Sequence, residues 1–261
     1  MKSRFLPFLL LLLVKQAHAF TADELNQITF EQRIGQRISP DLVFRDSDGR
    51  NFQFGPHFGN KPTVLVLGYY HCPMLCTFIN NGLIAALQEL RLDVGKDFNI
   101  VDLSIDPRET PNRAAAKKAE YVKLYGRRGA EQGWYFLTGD EASIAELTRE
   151  AGFHFAYDSQ SNEYAHPSGV IVLTPDGKIS RYFLGVNFEP DELRRAIVVA
   201  GKGENGPIVQ RLALICYHYN PITGKYGALI ISILRGVGVA TVIALGLSIF
   251  LLSRQKSRTQ T

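Results

Sequence analysis

Two cysteines separated by three residues are the first candidates for chemistry in this sequence. Cys72 and Cys76 follow an apolar run, residues 64–67, and precede apolar residues at helical spacing. We therefore expect them between the end of a buried strand and the first turn of a helix. The positive end of a helix and its free N–H groups favour thiolate over thiol. Two thiolates four positions apart can close a disulfide or bind one soft metal ion.

The spacing of the pair argues against a purely structural disulfide, because closing a loop of a few residues removes little entropy from the unfolded chain. A thioredoxin-type redox pair usually has two intervening residues, whereas Pro73, Met74 and Leu75 make three here. Redox chemistry and metal binding both stay open. Thiolates select Cu(I) or Zn(II), and two cysteines leave a coordination gap that a histidine would fill.

Among the six histidines, His166 has the most suggestive context. Residues 164–169 are predicted as a loop leading into a buried strand, a position where sheets present functional residues. His154 is expected in or near the core, and His57 in a loop rich in glycine and proline. Met74 offers a thioether to Cu(I), with an exposed loop position as the alternative. On spacing alone, His166 stays one possible ligand among several.

Apolar runs and helical patterns alternate along the chain. Strands are predicted at 42–49, 51–54, 63–67, 98–105, 134–137, 153–157, 169–173 and 179–184, and helices after the cysteines to about 94–95 and at 112–125, 141–151 and 189–200. This order indicates the α/β class, with a mixed sheet flanked by helices. Asp106 ends a buried strand and is expected at the carboxyl edge of the sheet, where it binds the loop or a partner, or only starts the next helix.

Both ends of the chain differ from its middle. Residues 1–19 have a basic start, an apolar core and small residues at 17 and 19, which is typical of a signal peptide cleaved after Ala19, with an uncleaved anchor as the alternative. Residues 228–252 are long and apolar enough to span a bilayer. A buried core helix is the alternative interpretation. The predicted organisation is a folded domain at 20–206, a membrane-proximal segment at 207–227, and a basic cytoplasmic tail at 253–261.

The charge pattern and the third cysteine add two further points. The formal net charge is +4 without any basic block, so nucleic acid is not indicated as a partner. Cys216 and His218 lie just before the predicted membrane helix. They either form an accessory copper site, exchange disulfides with the main pair, or lie unused among interfacial tyrosines.

Three motifs together resemble the Sco/SenC family over about residues 35–200. They are GYYHCPMLC at 68–76, SIDPRETP at 104–111, and His166 before an apolar strand and a Pro-Asp-Gly hairpin. The resemblance implies a thioredoxin-like fold and copper bound by Cys72, Cys76 and His166. It also implies, as partner, a copper-containing subunit of cytochrome c oxidase or a related enzyme, since the family helps to assemble the dinuclear copper site. Some relatives look more like thiol–disulfide reductases.

The sequence departs from the family pattern at three places. Thr77 stands where the best-known members have proline, and Ala165 stands where many have an aspartate before the histidine. Losing that acid is expected to alter metal affinity. The predicted membrane helix is C-terminal, whereas better-known members are anchored near the N-terminus.

The favoured hypothesis is a copper chaperone tethered to the plasma (inner) membrane, with its domain on the periplasmic side. The alternative is a thiol–disulfide oxidoreductase in which Cys72 attacks and Cys76 resolves. That enzyme would not need His166. A metal-free assembly scaffold is the third hypothesis, and it predicts that Cys72→Ser is silent.

Overall fold

The computed structural model describes residues 28–71, 75–159, 161–206, 215–216, 236–243 and 245–246. The chain divides into two compact units, Met1–Cys216 and Tyr217–Thr261. In the second unit, the described residues are helical. Within the described parts of the chain, no helix has the length and apolar character needed to cross a membrane. The predicted signal peptide and most of the predicted span at 228–252 lie outside the described residues.

Strands and helices alternate along the first unit. Its strands are β1 Val43–Arg45, β2 Asn51–Gln53, β3 Thr63–Gly68, β4 Asn99–Ser104, β5 Trp134–Leu137, β6 Ala156–Asp158, β7 Glu163–Pro167, β8 Gly169–Leu173, β9 Ile179–Leu184 and β10 Ile215–Cys216. Its helices are α1 Phe54–Phe58, α2 Leu75–Glu89, α3 Pro111–Tyr125, α4 Glu141–Glu150 and α5 Pro190–Gly201, with a 3-10 turn at Ala130–Gln132. The α/β class and most predicted elements are confirmed.

The central sheet has five strands in the order β5-β4-β3-β8-β9. Strands β3, β4 and β5 run parallel, and β8 and β9 run antiparallel to their neighbours. In this register Gly68 pairs with Ser104, and Val66 pairs with Val170. The carboxyl ends of β3 and β4 therefore meet at the edge of the sheet where β8 begins.

Helices cover both faces of this sheet. Strands β3 and β4 are buried along their whole length, as expected for parallel strands between two helical layers. Helix α3 packs on β5, and α5 packs on β8 and β9. Gly82 lets α2 approach the loop before α5, because a Cβ there would collide with the carbonyl oxygen of Val186. The helix that begins at the cysteines is thus held against the domain.

The predicted helix starts and ends are partly confirmed. Asp140 caps α4 by accepting a hydrogen bond from the backbone N–H of Ser143 at 2.8 Å. Pro111 opens α3, and Gly126 follows its end with φ 76°. Helix α2, however, ends at Glu89 rather than near residues 94–95, since the backbone of Val94 bridges to Phe98 at the start of β4.

Three local predictions about histidines are wrong. His166 lies within strand β7, because β7 pairs antiparallel with β6. His57 lies in helix α1, where its ring stacks on Phe52 with centroids 3.8 Å apart. The side chain of His154 is 47% exposed, and its Nε2 lies 3.3 Å from a carboxylate oxygen of Glu31 rather than in the core.

Candidate functional site

The sheet register brings the predicted imidazole ligand to the edge where the cysteine loop begins. His166 stands three residues before β8, and Cys72 four residues after β3. The rings of His166 and Tyr69 confirm this proximity, with centroids 5.9 Å apart. Cys76 is in the first turn of α2, where the helix end favours a thiolate. Cys72 and Met74 lie outside the described residues.

Aromatic packing holds His166 in place. The residue is fully buried, and the ring of Phe153 lies 5.8 Å from its imidazole between centroids. Tyr164, two residues earlier on β7, packs against Tyr69 at 5.5 Å. A histidine in such surroundings loses rotamer freedom before any ligand binds, which reduces the entropy cost of binding.

A backbone carbonyl selects the tautomer of His166. Its Nδ1 lies 3.0 Å from the carbonyl oxygen of Pro167. Because a carbonyl oxygen only accepts, Nδ1 carries the proton in this geometry and Nε2 is the unprotonated ring nitrogen. The residue before His166, Ala165, is fully buried and offers no polar side chain, so the main-chain carbonyl of Pro167 helps to orient the imidazole.

Glu109 binds the two residues that precede Cys72. Its Oε2 accepts from the backbone N–H of Tyr70 at 2.8 Å, and its Oε1 accepts from that of His71 at 2.7 Å. The Ser104 hydroxyl donates to Oε2 at 2.6 Å. One carboxylate therefore fixes the backbone that enters the cysteine loop, through charge-assisted hydrogen bonds of short length.

Tyr70 anchors the same segment from below. Its hydroxyl lies 2.8 Å from the carbonyl oxygens of both Asp102 and Leu137, which belong to β4 and β5. Burial raises the pKa of Tyr70 well above its ordinary value. The tyrosine therefore stays a neutral donor, and it ties the loop to two strands of the central sheet.

Asp102 is a carboxyl group buried beneath α2. Its residue is 3% exposed. Burial raises its pKa from 3.8 to about 7, and the opposing hydrogen bond with Asn80 is weaker. Asn80 lies one helical turn after Cys76. The protonation of Asp102 thus changes near neutral pH under the helix that carries Cys76.

Asp106 follows β4 at the carboxyl edge of the sheet, as the sequence predicted, and it is buried there and engaged by an arginine. The guanidinium of Arg108 donates to its carboxylate from Nε at 2.7 Å and from Nη2 at 2.8 Å. Burial alone would raise the pKa of Asp106, but the hydrogen bonds from Arg108 outweigh it and hold the pKa below its ordinary value. Arg108 also reaches Tyr157 and Asn162, at 3.0 and 2.6 Å.

Sequence reasoning missed Glu109 and the aromatic residues around His166. Glu109 lies in the motif at 104–111, of which only Asp106 was given a role from the sequence. The imidazole of His71, beside Cys72, lies with its Nδ1 2.6 Å from a guanidinium nitrogen of Arg113. The described part of the site therefore consists of the His166 imidazole, packed among aromatic rings, and the backbone before Cys72, which the Glu109 carboxylate holds.

The fold and the position of the cysteine pair indicate the structural class of the protein. A mixed sheet flanked by helices, with a cysteine pair where a central strand leads into a helix, is the arrangement of thioredoxin-like proteins. The SCO1/SenC family model matches residues 31–200. The chain belongs to this family.

Solved structures share this fold. A proposed electron transfer protein of Aquifex aeolicus VF5 is 28% identical, with a TM-score of 0.57 over 66% of this chain and 96% of that one. Arabidopsis thaliana ScoI, solved with copper bound, is 23% identical, with a TM-score of 0.51 over 64% and 99% of the two chains. BsSco, of the Sco family of cytochrome c oxidase assembly proteins, is 19% identical, with a TM-score of 0.53 over 66% and 96%. Among curated proteins, none matches this chain.

Proposed function

We propose that the chain is a copper chaperone that binds its cargo through Cys72, Cys76 and His166. The observation that carries the proposal is the arrival of His166 at the sheet edge where the cysteine loop starts, in a chain of the SCO1/SenC family. Thiolates and imidazole together form a soft donor set that suits Cu(I) and tolerates Cu(II) with added ligands.

The delivery step follows from the chemistry of the ligands. Reduced cysteines bind copper and release protons, and an acceptor with its own soft ligands takes the ion by ligand exchange. Oxidation of the pair to a disulfide removes both sulfur ligands, so copper loading requires the reduced state. We propose the copper subunit of cytochrome c oxidase or a related copper enzyme as acceptor.

A membrane tether would help such a transfer. The apolar residues 228–252, followed by basic residues, support a single span with the folded domain on the periplasmic side of the plasma membrane. Donor and acceptor in one membrane meet at a higher effective concentration. Protease added to spheroplasts should remove residues 20–206 and leave a protected C-terminal fragment; full protection of the domain would refute this topology.

Copper stoichiometry tests the chaperone proposal. The reduced full chain in detergent should bind one Cu(I), and His166→Ala should weaken binding by about tenfold or more, since even partners of ligands contribute 10–100-fold. His57→Ala is the matched control, because His57 lies in α1 and is not among the proposed ligands. A reduced chain that binds no copper, or a His166→Ala variant that binds as the wild type does, would contradict the proposed site.

A thiol–disulfide oxidoreductase is the second candidate. The position of Cys76 in the first turn of α2 supports it, since helix N-termini lower the pKa of thiols. This activity needs both cysteines but not the imidazole. If His166→Ala abolishes copper binding and leaves the reduction of an exported disulfide substrate unchanged, while Cys72→Ser abolishes that reduction, the enzyme is favoured.

A further inference from the structure

A pocket between the central sheet and its helices brings a carboxyl group and an ammonium group together. Asp102 of β4, Asn80 of α2 and Lys117 of α3 line it, together with apolar and aromatic residues. Asp102 is the only ionisable residue in β4, whose other side chains suit a buried parallel strand. A carboxylate in such a place is costly unless a cation or hydrogen-bond donors compensate it.

The carboxyl group of Asp102 is only partly compensated. Asn80 forms a side-chain hydrogen bond with it. Its Oδ2 is buried and, among the described residues, has no hydrogen-bond partner. Burial raises the pKa of Asp102 to about 7, against the opposing effects of the Asn80 hydrogen bond and the charge of Lys117. Above this pH the pocket therefore contains a negative charge with one oxygen still to be satisfied.

Lys117 reaches the pocket from α3 and has a partner that it can exchange. Its Nζ donates to Oε2 of Glu120 at 3.0 Å and lies 5.4 Å from the centroid of the Tyr121 ring. The Glu120 side chain is 53% exposed, whereas that of Lys117 is only 24% exposed. Exposed ion pairs contribute little, and the lysine side chain is flexible. Leaving Glu120 therefore costs Lys117 little.

We propose that this pocket is a cation site for the chain's own Lys117, which pairs with Oδ2 of Asp102 when that carboxyl group ionises. Asp102 then loses its proton to solvent, and the ammonium group moves from Glu120 into the pocket. When Asp102 is protonated, Lys117 returns to Glu120. Among the described residues that line the pocket, Lys117 is the only cation.

The other titratable groups around Asp102 do not replace this lysine. The negative charge of Glu109 raises the pKa of Asp102 further, and its oxygens already accept from backbone N–H groups. The Tyr70 hydroxyl has a pKa well above its ordinary value because of burial, and it is bonded to two main-chain carbonyls. Tyr121 offers a neutral ring to Lys117.

The exchange would change which helices are tied to β4. The hydrogen bond with Asn80 ties β4 to α2 at low pH, and the pair with Lys117 adds α3 at high pH. Helix α3 begins at Pro111, two residues after Glu109. The switch would therefore act next to the segment that holds the backbone before Cys72, and it does not depend on bound metal.

Lysine acetylation followed by mass spectrometry tests the movement directly. The metal-free, reduced full chain in detergent is compared with Asp102→Asn, and the rate at Lys117 is divided by that at the exposed Lys123 of the same helix. At pH 8, Lys117 should react about tenfold more slowly in the wild type than in the variant, as expected for residues coupled by direct contact. At pH 6 the two rates should agree. Equal rates at pH 8 would overturn the proposal.

A double-mutant cycle measures the same pair by stability. Asp102→Asn, Lys117→Met and the double variant are unfolded in urea, and the unfolding equilibrium constants should show a coupling of about tenfold at pH 8 and none at pH 5. The same coupling at both pH values would overturn the pH dependence. Replacing NaCl by tetramethylammonium chloride should leave the coupling unchanged. A coupling that depends on Na⁺ would assign the pocket to an external cation and overturn the role of Lys117.

Discussion

His166 and the cysteine loop meet at one edge of the sheet, but different interactions support them. The imidazole side, formed by Phe153, Tyr164 and His166, is buried and built from aromatic rings. The thiol side, formed by the segment before Cys72 and by its partners Glu109 and Asp102, is built from hydrogen bonds to carboxyl groups and carbonyls.

This difference means that the imidazole and the cysteine loop are held in position by different kinds of interaction. An imidazole that packs into a core is positioned at all times, because moving it would open a cavity. A loop held by hydrogen bonds is positioned only while its acceptors keep their charge and geometry. We therefore expect changes on the imidazole side to lower folding stability at every pH, and changes on the thiol side to alter the pH dependence of folding stability and the copper affinity.

Phe153→Ala should give the largest loss of stability. Phe153 is 2% exposed, and its ring lies 5.3 Å from that of Phe30 and 5.8 Å from His166. Removing a buried phenyl ring costs roughly 3–5 kcal/mol of unfolding free energy, which urea titration of the metal-free reduced chain would measure. Phe78→Ala, at a position 43% exposed, should cost much less. Equal losses in the two variants would contradict the packed imidazole side.

Asp102 should make the thiol side sensitive to pH. Its pKa is raised from 3.8 to about 7 by burial, so the folded state retains a proton that the unfolded state loses between these values. The free energy of unfolding therefore falls as pH rises through this window and is fully reduced above it, by at most roughly 4 kcal/mol. Urea titrations at pH 5 and pH 8 would measure the fall.

Asp102→Asn removes this titration while keeping the shape of the side chain. The variant should lose less stability than the wild type between pH 5 and pH 8, and the difference isolates one carboxyl group. Parallel pH profiles for the two proteins would show that Asp102 ionises normally in the folded state. Phe153→Ala, on the imidazole side, should keep the pH profile of the wild type at a lower stability.

The elements of the central sheet could be predicted from sequence, whereas the contacts of the site could not. Strands β5, β8 and β9 match their predicted bounds, because short apolar runs between turn residues mark them. Strand β7 was predicted as a loop, since Pro167 interrupts its pattern and no glycine marks the turn before it. Asn162 makes that turn with φ 59°.

The role of Glu109 and the pairing of β10 are long-range facts. Glu109 binds backbone N–H groups 38 and 39 positions earlier in the chain, and main-chain donors leave no signature in the residues that own them. Strand β10 consists of two residues and pairs with β7 about 50 positions away. No local pattern of that length predicts a strand. For Glu109, the motif at 104–111 did indicate that its segment matters, but not what the carboxylate binds.

Glu109→Ala should weaken copper binding and also destabilise the fold. Two backbone N–H groups and the Ser104 hydroxyl lose their acceptor, which costs roughly 1–3 kcal/mol of stability. Copper affinity should fall by about 10–100-fold, the usual effect of removing a group that orients ligands. Chelator competition and urea titration on the same sample measure both.

Glu120→Ala is the matched control for that prediction. Glu120 lies in α3, the helix that begins two residues after Glu109, but its side chain is 53% exposed and pairs with Lys117. An exposed pair of this kind contributes about 0–1 kcal/mol, so copper affinity should stay at the wild-type value. If Glu109→Ala loses no more affinity than Glu120→Ala, the loop before Cys72 does not depend on the carboxylate.

Arg108→Lys should have the smallest effect on stability. It tests whether one side chain couples the position of the imidazole side to that of the thiol side. Arg108 binds Asp106 after β4, and it also binds Tyr157 of β6, the strand that pairs with β7. A lysine keeps the charge but cannot reproduce the forked contacts. Because the side chain is 49% exposed, we expect a loss of about 1 kcal/mol or less.

Arg149→Lys, whose partner is the exposed Glu146 on α4, controls for the substitution itself. Copper affinity should fall only in Arg108→Lys, because this guanidinium connects the strand pair of the imidazole to the segment after β4, whereas Arg149 contacts neither. Equal affinity in both variants would mean that the two sides keep their relative positions through the central sheet.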